Sequence, residues 1–499
     1  MTRSFLLLVL TVALTITLTP SIGWSAFEHQ AYLKSVAEDE VERGRSVAVS
    51  GRYAAMSAWA GDRFNNVLIY ERQSDGTWAF GDLVKAENAD PEDDYGRFLA
   101  LDGRTLVVGA PDEDSAARGI DGEGDNNDAP DSGAVYVYVR AEDGTWRLEA
   151  YIKSANSDAG DRFGSAVSLD GDTLVVGAPG EDSDAEGVGG EPGDNSLSTA
   201  GAAYVFVRSE DGWEQQAYLK ASASDSGDAF GSAVAVYQDW VVVGAPFERS
   251  AATGSGGNDE DNSIVAAGAV YPYVRQGQNW QPLGYLKASN SDTADLFGTA
   301  VDIVGSPTPF GTELMIAVGA PGESSNAVGV GGNQLDNSAD DAGAVYLILG
   351  NGVGGWGQVG YLKASNTGPD DEFGRVLALA AGQQRRILVG ASREDSIGTG
   401  VDGVQADNSA TQSGAAYLFI ENDLVITQEH YLKASNTNAG DRFGFAVAMD
   451  RDLILIGAPL EDSGALGVDG DQSDNSRDAA GAAYLLARPD GLFQDRFMP

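Results

Sequence analysis

The chain has 499 residues, with 65 Gly, 16 Pro, no Cys and two His, His29 and His430. Without cysteine there are no disulfides, thiolate metal sites or thiol nucleophiles, and two histidines leave no material for a histidine-based catalytic cluster. Against 75 Asp and Glu stand 31 Lys and Arg, a formal charge of -44. That charge repels nucleic acid and anionic lipid and leaves cations, basic surfaces or neutral glycans as natural partners.

In chain order, residues 1–25 read as an export signal. Arg3 gives the positive start, residues 5–18 are apolar or Thr, and residues 20–26 offer small side chains for cleavage. The apolar run is short for a membrane span and no later stretch is longer. The expectation is an exported protein, extracellular, at a cell surface or in a periplasm, with residues 27–499 as one domain and a monomeric state. Residues 28–34 follow, ending in Tyr32-Leu33-Lys34. Later units end in the same way, so this spare copy predicts a strand that joins the last unit and closes a ring. Gly44 then opens a degenerate unit. Ser57-Ala58-Trp59 stands where later units have Gly-Ala-Pro, and residues 72–78 match residues 140–146.

Regular units start at Tyr95-Gly96, Phe163-Gly164, Phe230-Gly231, Phe297-Gly298, Phe373-Gly374 and Phe443-Gly444. Each continues to a Gly-Ala-Pro, as at residues 177–179, or to the variant Gly390-Ala391-Ser392. A Gly-Ala-(Ala/Val)-Tyr and a Tyr-(Leu/Ile)-Lys complete the unit. Within one unit, residues 165–169 alternate and Asp170-Gly171 signals a hairpin. Residues 174–176 are apolar on both faces, and residues 204–207 and 213–219 make two more strands around a turn at Gly212. Four antiparallel strands with tight turns form one propeller blade. A period of this length belongs to propellers or solenoids. The predicted fold is all-β, a seven-bladed propeller whose closure by the N-terminal strand removes exposed sheet edges. The blade starting at Phe297 has an enlarged first hairpin around residues 306–312, and residues 492–497 are a weaker candidate for the closing strand.

These in-phase Phe-Gly and Gly-Ala-Pro motifs resemble the FG-GAP repeats of the integrin alpha-chain N-terminal propeller, and more closely those of bacterial FG-GAP repeat proteins. The resemblance covers nearly all of residues 27–499. It implies a propeller fold and adhesion. It does not carry over the integrin-type calcium loop between the first two strands, because that hairpin is a bare turn here.

The loop between Gly-Ala-Pro and Gly-Ala-x-Tyr keeps one length: Pro111 and Gly133, Pro179 and Gly201, and their four later equivalents are each 22 positions apart. Unstructured loops drift in length, so this one is expected to be ordered. Three carboxylate sets recur with it. Glu113, Glu181, Glu248, Glu323, Glu394 and Glu461 follow the second strand. Asp125, Asp194, Asp261, Asp336, Asp407 and Asp474 precede Asn in mid-loop. Asp93, Asp161, Asp228, Asp295, Asp371 and Asp441 stand two residues before the Phe/Tyr-Gly. Blade topology gathers all three on one face. Two readings stay open: each cluster binds Ca²⁺ through hard oxygen ligands, or the side chains cap turns. Asp121-Gly122-Glu123-Gly124-Asp125 and Asp469-Gly470-Asp471 are the nearest local calcium-loop look-alikes.

Lys34, Lys85, Lys153, Lys220, Lys287, Lys363 and Lys433 end the fourth strands and are expected to pair with nearby carboxylates rather than to grip an anionic partner. Trp78, Trp146, Trp213, Trp280 and Trp356 recur where the fourth strand starts and read as packing. Residues 352–357 match G-x-G-x-x-G, but no helix follows, so the match carries no phosphate site. The leading functional expectation is a binding, adhesion or scaffold module with a protein or glycan ligand. Its rival is a glycan-acting hydrolase or lyase in the channel. A salt-adapted structural protein without a ligand is the third reading.

Overall fold

The computed structural model describes residues 27–36, 42–59, 66–88, 90, 92–308, 311–352, 355–382 and 384–488. The proposed export signal and residues 492–497 lie outside them. The strands assemble into seven four-stranded antiparallel sheets, arranged as the blades of a wheel. No helix among the described residues is long and apolar enough to cross a membrane.

The third blade shows why these sequences make blades. Its strands are Ala166–Asp170, Thr173–Ala178, Ala202–Ser209 and Gly212–Leu219, hydrogen-bonded in that order. The second strand is buried throughout because it is covered on both faces. Leu174 and Val176 pack with Val107 and Val135 of the second blade. Val175 packs with Val241 and Val243 of the fourth. Each fully buried Val or Leu contributes about 1.5–3 kcal/mol, so blade-to-blade contact is the main source of cohesion. Phe163 is wedged in the same seam, edge-on to Tyr204 and Phe206 at 5.5 and 5.9 Å.

The two glycines of the repeat motif meet across the seams. Gly164 N donates to Gly177 O at 3.0 Å within its blade. Its own carbonyl lies so close to Gly109 of the preceding blade that a Cβ on Gly109 would overlap it. Gly177 stands in the same relation to Gly231. The motif is therefore a packing device: one glycine lets the next blade's backbone approach, and the other supplies the approaching backbone at φ 95°.

The ring closes as the sequence predicts. Glu28–Leu33 pairs antiparallel with Ala482–Ala487, with Tyr32 opposite Tyr484. Gly44 N donates to Ser57 O at 2.9 Å, and the Gly44 carbonyl packs on Gly457, which confirms Gly44 as the first blade's copy of Gly164. In place of Phe, that blade has Arg43, fully buried, with Nη1 donating to Ala480 O at 3.0 Å. The opposite face holds a device that sequence patterning did not reveal. Hairpin aspartates clip the turn of a neighbouring blade: Asp102 accepts from Gly171 N at 2.8 Å and Asp450 from Gly51 N at 2.6 Å.

Candidate functional site

The long loop of each regular blade folds back over the ends of the outer strands, and its Glu is the centre of a buried clasp. In the third blade Lys220 Nζ donates to Glu181 Oε2 at 2.9 Å and to Ser183 O at 2.8 Å. Tyr218 OH donates to Glu181 Oε1 at 2.8 Å, and Asn156 Nδ2 reaches the same oxygen at 3.3 Å. Asn156 arrives on the connector from the second blade, and its Oδ1 accepts from Tyr204 OH at 2.8 Å. The clasp thus ties a loop, an outer strand and the preceding connector together.

The ion pair recurs as Lys153–Glu113 at 2.6 Å, Lys287–Glu248 at 2.5 Å, Lys363–Glu323 at 2.8 Å and Lys433–Glu394 at 2.9 Å. In the seventh blade it is Lys34–Glu461 at 2.7 Å, so the N-terminal strand brings the lysine that its partner blade lacks. Burial lowers the lysine pKa values, and each Glu pulls them back up. Burial also raises the Tyr218 hydroxyl, which keeps it a donor. A buried ion pair is stable only when its remaining polar atoms are satisfied, and the Tyr, Asn and Ser partners do this.

The lysine expectation therefore holds at six positions, and the partner is the loop Glu. Lys85 is the exception. It is exposed, because six residues join Trp59 to Asn66 in the first blade and no long loop is there to supply a Glu.

The aspartates before Phe/Tyr-Gly are buried beside these Glu carboxylates. Asp161 Oδ2 accepts from Asp158 N at 2.9 Å. Asp93, Asp295, Asp371 and Asp441 make the same turn cap at 2.7–2.8 Å. Asp228 occupies the equivalent place. Burial pushes all six up to about 7. The neighbouring Glu adds to the rise, and the backbone hydrogen bond is the largest opposing influence, outweighed at Asp228 by Glu248 and Asp225 as well as by burial.

The mid-loop aspartates stand apart, half-buried to exposed, and cap turns: Asp194, Asp261, Asp336, Asp407 and Asp474 each accept from the Ser N two residues on, at 2.8–3.2 Å. Asp125 is out of phase by one residue and is corrected: Asn126 fills that place. Asn126 Oδ1 accepts from Ala116 N at 2.9 Å, as Asp261 Oδ2 does from Ala251 N. The preceding Glu123 and Gly124 obscured the register. Among the described residues no three His, Asp or Glu side chains form a group that could hold a metal ion. The structure brings the Glu and the buried Asp together and leaves the mid-loop aspartates elsewhere.

The calcium-loop look-alikes have a different explanation. Asp121, Asp402 and Asp469 sit in the left-handed region at φ 55–56°, where other blades have Gly189, Gly256 and Gly331. Asp is among the few side chains that tolerate it. Asp121 and Asp469 use Oδ1 to accept from Tyr151 N and Tyr32 N at 3.0 and 2.9 Å. The five recurrent tryptophans are 2–9% exposed and pack. His430 Nδ1 lies 2.9 Å from Asp402 Oδ2, on the blade's outer edge.

Sequence reasoning missed the asparagine. A visible signal was Asn three residues after Lys, in phase at Asn88, Asn156, Asn290, Asn366 and Asn436. It foresaw a central channel but not its lining. The innermost strands enclose a cavity of about 750 Å³ whose lining includes Arg45, Arg97, Arg375, Phe98, Phe247 and Phe445.

Fold and repeat chemistry define a closed, ring-clasped β-propeller. The family model described as FG-GAP repeat matches residues 146–206, 213–273 and 426–486, and together with the seven-bladed ring these matches support an FG-GAP repeat propeller. Each match runs from the outermost strand of one blade to the third strand of the next, so the sequence unit is offset from the blade by one strand. That offset is what leaves a spare outer strand at the N-terminus to close the ring. No curated protein matches the chain. Similar solved structures include a mutant Aleuria aurantia lectin in complex with Fucalpha1-6GlcNAc, 11% identical over 82% of this chain and 99% of that one, TM-score 0.37. A mutant of AofleA from Arthrobotrys oligospora is 9% identical over 82% of this chain and 92% of that one, TM-score 0.36.

Proposed function

We propose that this chain is an exported recognition or scaffold module that presents a stiff, acidic ring face to a protein or glycan ligand. The observation that supports this most is the clasp. Six loops of constant length are each fixed by a buried Lys–Glu pair, and loops held so firmly suit a preorganised binding surface, where little ordering entropy is lost on association. The repeated carboxylates are used for holding the loops, which favours binding over the rival reading of glycan cleavage in the channel.

Calcium belongs to this proposal as a stiffener of the same face. The Glu set is engaged by lysine, so the carboxylates that remain for a cation are the buried aspartates and the mid-loop set. Thermal unfolding with calcium and with chelator tests it. A site on the folded state filled at 100 times its dissociation constant adds about 2.7 kcal/mol, and equal midpoints would remove calcium from the account.

The binding reading is tested on a glycan array and against polysaccharides followed by product chromatography. Retention of a glycan without turnover is the expected result. Release of shortened products would replace the module by an enzyme.

A further inference from the structure

The channel lining contains three arginines and neither Asp nor Glu, although acidic residues outnumber basic ones 75 to 31 in the chain. All three occupy one repeat position, immediately after the Phe-Gly or its equivalent: Arg45, Arg97 and Arg375. They belong to the first, second and sixth blades. The seventh blade, between the sixth and the first, has Phe445 there, and the remaining blades have Ser165, Ser232 and Thr299. One arc of the mouth is therefore cationic and aromatic, and the facing arc carries hydroxyls.

We propose that this mouth binds a small organic anion, a carboxylate or sulfonate on an apolar body, through Arg45, Arg97 and Arg375. Each guanidinium is held by an acidic residue three positions back: Arg45 by Glu42 at 2.9 Å, Arg97 by Asp94 at 2.5 Å and Arg375 by Glu372 at 3.0 Å. The arginine side chains are 35%, 46% and 51% exposed, so these pairs are worth little and exchange readily for a ligand anion. A guanidinium fork accommodates such a group with two parallel hydrogen bonds.

The apolar body has its own surface. Phe98, Phe247 and Phe445 line the same cavity, and Phe247 is 46% exposed. A cavity of this size, mostly apolar with a few convergent polar groups, is the usual form of a small-ligand site. A second recess opens beside it between the first and second blades, lined by Arg45, Arg97, Trp59 and Tyr95 together with the paired carboxylates Glu42 and Asp94. The Arg45 guanidinium lies 5.8 Å from the Trp59 ring centroid. This is where the repeat breaks, since the first blade has no long loop. The chain's net charge opposes polyanions at long range, which leaves compact anions that reach the arginines directly.

The proposal rests on the binding-module reading, and its test separates the two. The sulfonated dye 1-anilinonaphthalene-8-sulfonate and its neutral analogue N-phenyl-1-naphthylamine are titrated into the folded chain by fluorescence. The sulfonate is expected to bind about tenfold tighter. Arg45→Gln/Arg97→Gln should bring it down to the neutral dye's level and leave the neutral dye unchanged. Glu42→Gln/Asp94→Asn frees both guanidinia and should tighten the sulfonate about threefold while leaving the neutral dye unchanged, whereas partial unfolding would raise the binding of both dyes. Equal affinity for the two dyes, or sulfonate affinity unmoved by both double variants, would overturn the proposal. A positive glycan array beside that result would leave the module standing without its anion site.

Discussion

The first and third blades have the same four-stranded sheet and differ in almost everything built on top of it. The third has a 22-position loop, a buried Lys220–Glu181 pair and a buried Asp161. The first has six residues between Trp59 and Asn66, an exposed Lys85, and Ser57 where the third has Gly177. The strand pattern is thus sufficient for a blade. The clasp is a second, separable layer, and it is missing at the blade next to the arginine-lined recess. The proposed anion mouth thus adjoins the blade that lacks the buried Lys–Glu pair among the described residues.

Breaking the clasp should give the largest contrast between the two blades. Lys220→Met leaves Glu181 buried without its counter-charge and is expected to cost about 3–5 kcal/mol in urea unfolding. Lys85→Met should stay within about 0.5 kcal/mol. Similar losses at both positions would mean that the pair is not what holds the loop. A smaller effect comes from the buried aspartates. Asp161 is raised from 3.8 to about 7, so the folded state holds its proton more tightly than the unfolded state. Its contribution is fully present below the unfolded value and is lost as pH rises through about 7. Asp161→Asn keeps an oxygen for the Asp158 N bond and should stabilise by about 1–2 kcal/mol at pH 8, with little change near pH 4. A variant equally stabilising at both pH values would contradict this origin. The first blade has Val41 at that place in the sequence and adds nothing to this dependence.

The smallest change sharpens the clasp itself. In the fourth blade the asparagine position holds Ala223, and the buried Tyr271 hydroxyl has no partner. Ala223→Asn should restore the bond and add about 1 kcal/mol to stability. No gain would show that the connector backbone does not bring the amide within reach.

Blade number, the closing strand and the degenerate first blade were legible because period-2 burial and close backbone approach restrict sequence strongly: Gly177 and Gly231 must be glycine for two blades to touch. The pairing of the Tyr-(Leu/Ile)-Lys lysines was legible too, since a long cation at a strand end needs a carboxylate. Which carboxylate was not, because Glu181 and Lys220 are 39 positions apart and only the folded loop joins them. Asp125 was misplaced by one residue because Asn126 performs the same turn cap. The channel arginines were hidden by their spread over three distant repeats, each an ordinary polar residue just before its blade's innermost strand.

Native-state hydrogen exchange tests most directly whether the wheel is clasped in six blades and open in the first. At pH 7, amides of Tyr53–Ala58 should exchange through a lower-energy opening than those of the equivalent strands Thr173–Ala178 and Trp240–Ala245. Equal protection of the three strands, or a first blade slower than the others, would contradict it.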